Sequence, residues 1–337
     1  MAKTRVLFIL KRNNYGYEAV GDGAGGLLNS TQFIVDMLKA KGVCASIVVV
    51  TDNNDIDREV TRFRPDIVVI EALWVVPEKF DILSQLHPKV RWVVRIHSDF
   101  PFLASEGIAI DWIFKYLDRE VFVAFNKKRS AGDFVAMTHD TRVLYLPNFY
   151  PLGNIKQNPL DVGVHIGCFG AVRPLKNQLT QAVAAIEYAE RAAETLYFHM
   201  NGTRTEQGGA SVLANIVALF ANTKHKLILH PWLDHDAFLA LLARMDLAMA
   251  VSFSETFCIT AADAVNVGLP LVCSDQVPFA DSRSIVSTTD TVAMAQRIDS
   301  LVGGGLVSKF LNRRNLANYS AKSRKIWLNT LDTIKPE

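Results

Sequence analysis

The sequence predicts an α/β protein with two domains, each built around a doubly wound parallel sheet of the Rossmann-like kind. Short apolar runs, typical of buried strands, alternate with longer segments that have helical periodicity. The alternation stops at residues 151–162, which contain Pro, Gly and Asn and are typical of a linker, and then starts again. A length of 337 residues also suggests two domains, each large enough to bury its own core.

Composition and charge exclude several classes of protein. Hydrophobic residues make up 50% of the chain and the net charge is only +2, so it lacks the bulk charge of a dedicated nucleic-acid binder. The four cysteines are scattered without a C-x-x-C pair, which suits a reducing compartment. No apolar run approaches the roughly 20 residues that a membrane helix needs, and the N-terminus lacks a signal-peptide pattern. We therefore expect a soluble, cytoplasmic protein.

Six strands are predicted in the first half of the chain. They are the apolar runs at residues 5–10, 45–50, 67–70, 92–96, 121–125 and 143–146. The segments between them are long enough for helices, and helical periodicity is present from Phe33 onwards. Because β and α segments alternate, the strands should form one parallel sheet. These elements define a first domain at residues 1–152.

Five further strands are predicted in the second half. They are the runs at residues 164–169, 196–200, 227–230, 247–251 and 269–273, with helices at 178–193, 237–245, 257–267 and 291–302. These elements define a second domain at residues 163–310. The terminal segment, residues 311–337, carries Trp327, Leu328 and Leu331 on one helical face.

The polar loop between the runs at 247–251 and 269–273 contains the strongest signal for a ligand site. Ligands of open α/β sheets bind at the carboxyl ends of strands, which is where Glu255 lies. The amides of Thr256, Phe257 and Cys258 should open the following helix, and a helix N-terminus can hold a phosphate. Asp263, eight positions after Glu255, is about two turns along that helix and roughly on the same face.

Two acids at this spacing, within S-E-T-F and followed by G-L-P-L-V, resemble the E-x7-E element of glycosyltransferase family 4. These are retaining enzymes of the GT-B fold, in which two Rossmann-like domains face a central cleft and a terminal helix crosses back to the first domain. The resemblance implies that Glu255 contacts donor-sugar hydroxyls and that Asp263, one methylene shorter than the usual Glu, holds the ribose. Taken alone, the acids are also consistent with a dipole-stabilising carboxylate and a solvated helix acid.

The segment from Gly170 to Asn177 resembles the G-R-x-x-x-K-N segment of the same family. The resemblance implies that Arg173 and Lys176 hold the donor pyrophosphate and that Gly170 and Asn177 belong to the donor site. Two fixed cations would neutralise a leaving diphosphate as charge develops on it. The alternative is that both are basic residues of a solvated loop.

The segment after residues 227–230 lies over the nucleotide base in this family, and the resemblance makes Trp232 a candidate cover for the base. Packing into the protein is the alternative for such a large aromatic residue. Asp234 is a candidate N-cap for the next helix. We reject a metal site formed from His230, Asp234, His235 and Asp236, because they straddle a strand end and a helix start.

In the first half, the resemblance assigns roles to a glycine pair and a histidine. Gly25 and Gly26 precede the Phe33 helix and would approach the donor phosphates or the acceptor, although a loop that only needs glycine for its geometry is equally consistent. His97 ends the run at 92–96 and would face the donor sugar as a hydrogen-bonding, positioning group rather than a general base. A loop histidine satisfied by the protein is the alternative.

Together these features imply a glycosyltransferase that moves a sugar from a nucleoside-diphosphate donor, a UDP-sugar first of all, to an acceptor hydroxyl with retention, and that needs no metal or other cofactor. Residues 16–26, 71–74 and 95–102 also look similar to bacteriophage glycosyltransferase-like proteins, which suggests the hydroxymethyl group of a modified pyrimidine in DNA as acceptor. The cations that could bind DNA phosphates are Lys11, Arg12, Lys127, Lys128 and Arg129. Glycan, lipid and small-molecule acceptors are alternatives, as is a catalytically silent nucleotide-sugar-binding protein.

Overall fold

The computed structural model describes residues 3–12 and 25–336, and the chain divides into two units. The first unit contains the chain up to Pro151 together with Tyr319–Glu337, and the second unit is Leu152–Asn318. Residues 13–24, which contain most of the segment 16–26 that looks similar to phage proteins, lie outside the described residues. Each unit is an α/β structure built on one parallel sheet, which confirms the predicted fold class.

The sheet of the first unit has six strands in the order β2-β1-β3-β4-β5-β6, all of them parallel. The strands are β1 (Arg5–Lys11), β2 (Cys44–Val50), β3 (Ile67–Glu71), β4 (Arg91–Ile96), β5 (Phe122–Phe125) and β6 (Val143–Tyr145). Continuous apolar runs form these strands because helices cover both faces of the sheet. β3, for example, is buried at all five positions.

Helices pack against both faces of the first sheet. They are α1 (Gly26–Lys39), α2 (Asp55–Phe63), α3 (Lys79–Leu86), α4 (Phe100–Leu103), α5 (Ala109–Asp118) and α6 (Lys128–Thr138). One core cluster joins the strands to α2, α3, α5 and α6, while a second cluster joins the opposite face to α1. The two separate clusters make the sheet doubly wound.

The sheet of the second unit has five parallel strands in the order β11-β10-β7-β8-β9. The strands are β7 (Val164–Gly167), β8 (Leu196–Asn201), β9 (Lys226–His230), β10 (Leu247–Ala250) and β11 (Leu271–Cys273). β7 lies at the centre, and the chain proceeds from β7 towards one edge and from β10 towards the other. The loops after β7 and β10 therefore diverge at a topological switch point, where such sheets bind ligands.

The helices of the second unit are α7 (Gln178–Ala192), α8 (Gly209–Ala221), α9 (His235–Leu242), α10 (Ile259–Val267) and α11 (Thr291–Leu301). α7, α8 and α11 share one core cluster with the sheet. Asp234 caps α9 as predicted, because its Oδ1 accepts from the Ala237 amide at 2.8 Å. None of the helices described in residues 3–12 and 25–336 is both long and apolar enough to cross a membrane.

The last helix, α12 (Leu306–Ile334), begins before residue 311, and its residues are divided between the second unit, up to Asn318, and the first unit, from Tyr319. Trp327, Leu331 and Ile334 lie in the same core cluster as α1. The Trp327 ring is fully buried, and its Nε1 donates to the Pro147 carbonyl at 2.7 Å. The C-terminal part of α12 is thus a structural component of the first unit.

Replacing Trp327 with Ala should lower the free energy of unfolding by about 3–5 kcal/mol, since it opens a cavity in the core and removes the Pro147 hydrogen bond. Urea denaturation of the whole chain measures this change. Lys325→Ala is the control, because Lys325 is exposed on the same helix. Equal stability of the two variants would contradict the assignment of Trp327 to the core.

Candidate functional site

The loops that follow β7 and β10 meet at the carboxyl edge of the second sheet. The register of these strands pairs Gly167 with Ala248, so β7 and β10 end at nearly the same level of the sheet. Phe253 in the second loop donates its amide to the Leu175 carbonyl in the first loop at 2.9 Å. This contact brings the predicted pyrophosphate segment and the predicted sugar-binding acid into one site.

Lys176 and Glu255 form an ion pair across these two loops. Lys176 Nζ donates to Glu255 Oε1 at 2.5 Å, and the two side chains are 14% and 7% exposed. Lys176 is therefore not a residue of a solvated loop, and Glu255 is not merely a charge near a helix N-terminus. The sequence placed both residues in the donor site, and the structure shows that they contact each other directly.

Both partners of this pair are charged despite their burial. Burial favours the neutral acid, but the Lys176 ammonium and its hydrogen bond outweigh that effect and lower the pKa of Glu255. Burial likewise favours the neutral amine, but the Glu255 carboxylate raises the pKa of Lys176. The site thus holds a fixed positive charge and a fixed negative charge, both screened from water.

Arg173, three residues before Lys176, is directed to a different acid. Its Nη1 lies 3.4 Å from Glu206 Oε2, and Arg204 Nε donates to the other oxygen of Glu206 at 2.7 Å. The Arg173 charge still acts on both Lys176 and Glu255. Arg173 therefore belongs to the edge of the same site, where Glu206 holds it.

Gly170 and Asn177 form the two ends of the Lys176 loop. Gly170 has a φ of +117°, and a Cβ there would lie 3.8 Å from Lys176 Cε, so its backbone borders the lysine stem. Asn177 has a left-handed φ of 55°, and its Nδ2 donates to the carbonyls of Val251 at 3.1 Å and Thr288 at 2.7 Å. The Asn177 side chain thus fixes the loop in place after Lys176.

The helix after Glu255 begins later than predicted. α10 starts at Ile259, because Cys258 takes a left-handed conformation with a φ of 63° and serves as the N-cap. The amides of Thr256 and Phe257 consequently precede the first helical turn. Phe257 is buried, and its ring packs 5.3 Å from the Phe279 ring. The prediction that residues 256–258 open the helix is therefore wrong, because a left-handed residue interrupts the periodic pattern.

Asp263 is buried and paired with a histidine of the neighbouring helix. Its Oδ1 lies 2.8 Å from His235 Nε2, and the Asp263 side chain is 3% exposed. The hydrogen bond to Asp263 raises the pKa of His235. Asp263 is therefore not a solvated helix acid, and His235 is a partner that the sequence analysis did not assign to it.

Trp232 lies half-buried beside the loop after β8. The Arg204 guanidinium lies 4.6 Å from the centroid of the Trp232 ring, and the backbone amide of Trp232 donates to Thr203 Oγ1 at 3.1 Å. Asn201 connects the neighbouring loops, because its Oδ1 accepts from the Gly170 amide at 2.9 Å and its Nδ2 donates to the Pro231 carbonyl at 3.3 Å. The loops after β7, β8 and β9 are thus linked along the carboxyl edge of the sheet.

A second polar cluster lies at the carboxyl edge of the first sheet, around His97. Glu71 at the end of β3 is fully buried, contacts His97 Nε2, and accepts from Arg95 Nη1 at 3.1 Å. Asn126 Nδ2 lies 3.4 Å from the other ring nitrogen of His97. Burial and the Arg95 charge lower the pKa of His97, although Glu71 opposes them. His97 is thus a neutral imidazole with partners at both ring nitrogens.

Gly25 and Gly26 lie at the N-terminus of α1 in the first unit. Gly25 is the N-cap in an extended conformation, with a φ of −143°, and no side chain caps the helix. The first amides of this 14-residue helix have no helical acceptor and can meet an anion. Neither glycine needs a left-handed conformation, so backbone geometry alone does not explain the pair.

Several partners in these clusters were not identified from the sequence. Glu71, Glu206 and His235 each neutralise or position a predicted site residue, yet each lies more than 20 residues from its partner. The only signal available was that Glu71, like His97, ends an apolar run. In the part of the chain that the structure describes, no group of three or more His, Cys, Asp or Glu residues could hold a metal ion.

Comparisons with known proteins give this geometry a family context. Residues 163–303 match the family described as Glycosyl transferases group 1. The α,α-trehalose 6-phosphate synthase of Burkholderia multivorans has a similar structure, with a TM-score of 0.68 and 11% identity over 99% of this chain and 97% of that chain. No curated protein sequence matches the chain.

Two further structures resemble the chain. HepE of Anabaena, solved in complex with UDP and glucose, has a TM-score of 0.71 and 13% identity. The match covers 98% of this chain and 100% of that chain. TarM of S. aureus, solved with UDP, has a TM-score of 0.61 and 14% identity over 82% of this chain and 58% of that chain. At these identities the likeness shows the fold. The chain has the GT-B fold of these glycosyltransferases, and its residues 163–303 match the model of the glycosyl transferases group 1 family.

Proposed function

We propose that the chain transfers a sugar from a nucleoside-diphosphate donor, with a UDP-sugar as the first candidate, to an acceptor hydroxyl with retention of configuration. The observation that carries the proposal is the buried Lys176–Glu255 pair at the switch point of the second sheet. A diphosphate at this edge would meet the Lys176 ammonium beside the Gly170 backbone. The donor sugar would then be next to the Glu255 carboxylate.

The chemistry follows from these charges. The bond between the anomeric carbon and the phosphate oxygen breaks, and the acceptor oxygen forms the new bond to that carbon. The acceptor proton passes to the leaving phosphate, so no side chain has to act as a base. Lys176, with Arg173 nearby, stabilises the charge that grows on the diphosphate. Glu255 accepts hydrogen bonds from sugar hydroxyls. Asp263 holds the ribose. His97 would border the sugar, but a hydrogen bond from its ring to a sugar hydroxyl would have to replace the contact with Glu71 or with Asn126.

The proposal needs no bound metal, because the Lys176 cation and backbone amides supply the positive charge that the diphosphate requires. Two of the five basic residues offered for a DNA acceptor have acidic partners in the structure. Lys127 is paired with Asp99 at 2.5 Å, and Arg129 lies 3.9 Å from Asp133. Modified DNA is therefore one acceptor to test beside glycans, lipids and small molecules.

The function is tested by screening UDP-, GDP-, ADP- and TDP-sugars for binding, and then by measuring release of the nucleoside diphosphate. A competent transferase should hydrolyse its donor slowly even without an acceptor, whereas a silent binding protein should not. The acceptor screen should include DNA that carries hydroxymethylpyrimidine. Binding without any release, in water or with each acceptor, would favour the silent nucleotide-sugar-binding protein.

Lys176→Met should abolish measurable transfer and also lower the unfolding free energy by about 3–5 kcal/mol, because it leaves Glu255 buried without its cation. Adding Glu255→Gln should restore most of the stability but none of the activity. Turnover and urea denaturation measure the two effects. The control is Lys224→Met. Because Lys224 forms an exposed pair with Glu190, this change should alter neither turnover nor the free energy of unfolding.

Glu255→Gln and Asp263→Asn should separate the two halves of the donor. The Glu255 variant should cut transfer by about a hundredfold while its affinity for UDP stays nearly normal, because UDP has no sugar to hold. The Asp263 variant should bind UDP itself more weakly, since the ribose is common to donor and product. Calorimetry with UDP measures this difference. The reverse pattern of affinities would show that the two roles are wrongly assigned.

The His235–Asp263 pair predicts a pH dependence of stability. Because the pKa of His235 is raised in the folded state, its contribution is complete below the ordinary histidine pKa of about 6.5 and is lost as pH rises through the raised value. Wild-type protein should therefore lose on the order of 1 kcal/mol across this range. Asp263→Asn should lose much less. Urea denaturation of both proteins at about pH 6 and above about pH 8 tests this. If the unfolding free energy changes equally with pH in the wild type and in Asp263→Asn, the prediction is contradicted.

A further inference from the structure

Three histidines form a continuous hydrogen-bonded row across the second sheet. They are His165 on β7, His199 on β8 and His230 on β9. His165 Nδ1 lies 2.9 Å from His199 Nε2, and His199 Nδ1 lies 2.9 Å from His230 Nε2. The strand register places each histidine diagonally beyond the one before it, since His199 pairs with Gly167 and His230 pairs with Asn201. The row therefore runs diagonally towards the carboxyl edge of the sheet, and His230 lies nearest to that edge.

The first member fixes the direction of every hydrogen bond in the row. His165 Nε2 lies 3.0 Å from the Val162 carbonyl, which can only accept, so this nitrogen must carry a proton. A neutral His165 then has an unprotonated Nδ1 that accepts from His199 Nε2. By the same logic, His199 Nδ1 accepts from His230 Nε2. The proton of His230 is thereby held on Nε2, and its Nδ1 keeps a lone pair.

The surroundings of His199 and His230 favour their neutral forms. Burial lowers the pKa of His199 to about 3, and the positive charge of Arg244 acts in the same direction. Burial also lowers the pKa of His230. His165 packs flat against the Tyr197 ring, with 4.6 Å between centroids. Each 2.9 Å contact between ring nitrogens needs one donor and one acceptor, so the pattern set at the Val162 carbonyl extends along the row to His230.

His230 ends β9 at the edge where the candidate site lies. Its ring centroid is 5.9 Å from that of Phe169, which immediately precedes Gly170 in the Lys176 loop. Its own carbonyl accepts from the Gly202 amide at 2.9 Å, so the backbone there is fixed. The His230 side chain is only partly buried. Across residues 3–12 and 25–336, its Nδ1 has no hydrogen-bond partner within the protein.

We propose that this row of histidines presents His230 Nδ1 as an acceptor for the ring N–H of the donor's nucleobase and so selects uracil over cytosine. The inference rests on the proposed function and specifies which base that site takes. Uracil carries a hydrogen on N3, whereas N3 of cytosine is itself an acceptor and would face the His230 lone pair. His230 would be a specificity-determining residue, with His199 and His165 as positioning residues.

Calorimetry with UDP, CDP and N3-methyl-UDP tests the proposed contact. The wild type should bind UDP about tenfold more tightly than either analogue, because only UDP offers the N3 hydrogen. His230→Phe keeps a ring at this position but no acceptor, so UDP and N3-methyl-UDP should bind that variant to within about twofold of each other. If the wild type binds UDP and N3-methyl-UDP equally, the contact does not exist.

Two further measurements test the row itself. Nitrogen-15 NMR of the ligand-free wild type should show His230 protonated on Nε2 and unprotonated on Nδ1. His199→Phe should release that preference and reduce the discrimination between UDP and N3-methyl-UDP, while Lys176 and the diphosphate contacts stay intact. An Nδ1-protonated His230 in the wild type would overturn the proposal even if the variant fails to fold.

The outcomes separate this inference from the proposed function. Binding of UDP without preference for the N3 hydrogen would overturn the role of His230 and leave the glycosyltransferase proposal standing. Failure to bind any nucleoside diphosphate would overturn both. Tighter binding of CDP than of UDP would show that His230 presents a proton instead of a lone pair, which also contradicts the inferred row.

Discussion

Removing the carboxylate of Glu255 from water costs several kcal/mol unless a cation lies beside it, and Lys176 supplies that cation. The pair can form only if the loops after β7 and β10 keep their positions. Asn177 holds the first loop through the Val251 carbonyl, and Ser274 Oγ donates to the Ser252 carbonyl at 2.7 Å to hold the second. The geometry of the site is thus a requirement of the electrostatics, and a ligand that replaces either partner must offer matching charge.

The same constraint recurs elsewhere in the chain. Glu71 is compensated by Arg95 in the first unit, and Asp263 is compensated by His235 in the second. In each case an acid near the carboxyl edge of a parallel sheet is buried and paired with a basic side chain from another element. Buried pairs of this kind add little net stability compared with apolar residues, but breaking one is costly. Under the proposed function, each of these pairs would fix a charged group beside the bound ligand.

The fold was readily predicted from the sequence because burial on both faces of a parallel sheet produces continuous apolar runs. The eleven strands of the described residues lie at or within a few residues of the predicted runs, and α10 ends at Val267, where the predicted helix ends. The start of α10 was not predicted, since periodicity carries no information about the left-handed conformation of Cys258. The extent of α12 was missed at its N-terminal end, where Leu306, Val307 and Phe310 are exposed and give no amphipathic pattern.

The candidate site was only partly predictable for a related reason. Lys176, Glu255 and Asp263 follow recognisable motifs, but their burial and partners depend on contacts between distant segments. Glu206 and His235 stand in no motif, and the histidine row depends on strand register, which places His165, His199 and His230 in line only after the sheet has formed. Sequence patterns predict the secondary structure and burial of one segment, whereas side-chain contacts between strands depend on the register of the whole sheet.

The division of α12 between the two units has a consequence for how the protein is made. The strands of the first sheet lie within the first 145 residues, yet Trp327, Leu331 and Ile334 belong to the core beneath them. On the ribosome, α1 alone among the described helices of the first 151 residues covers this face of the first sheet, so part of the face stays exposed until the second unit has been synthesised. The last turns of the chain act as the closing piece of the part that emerged first.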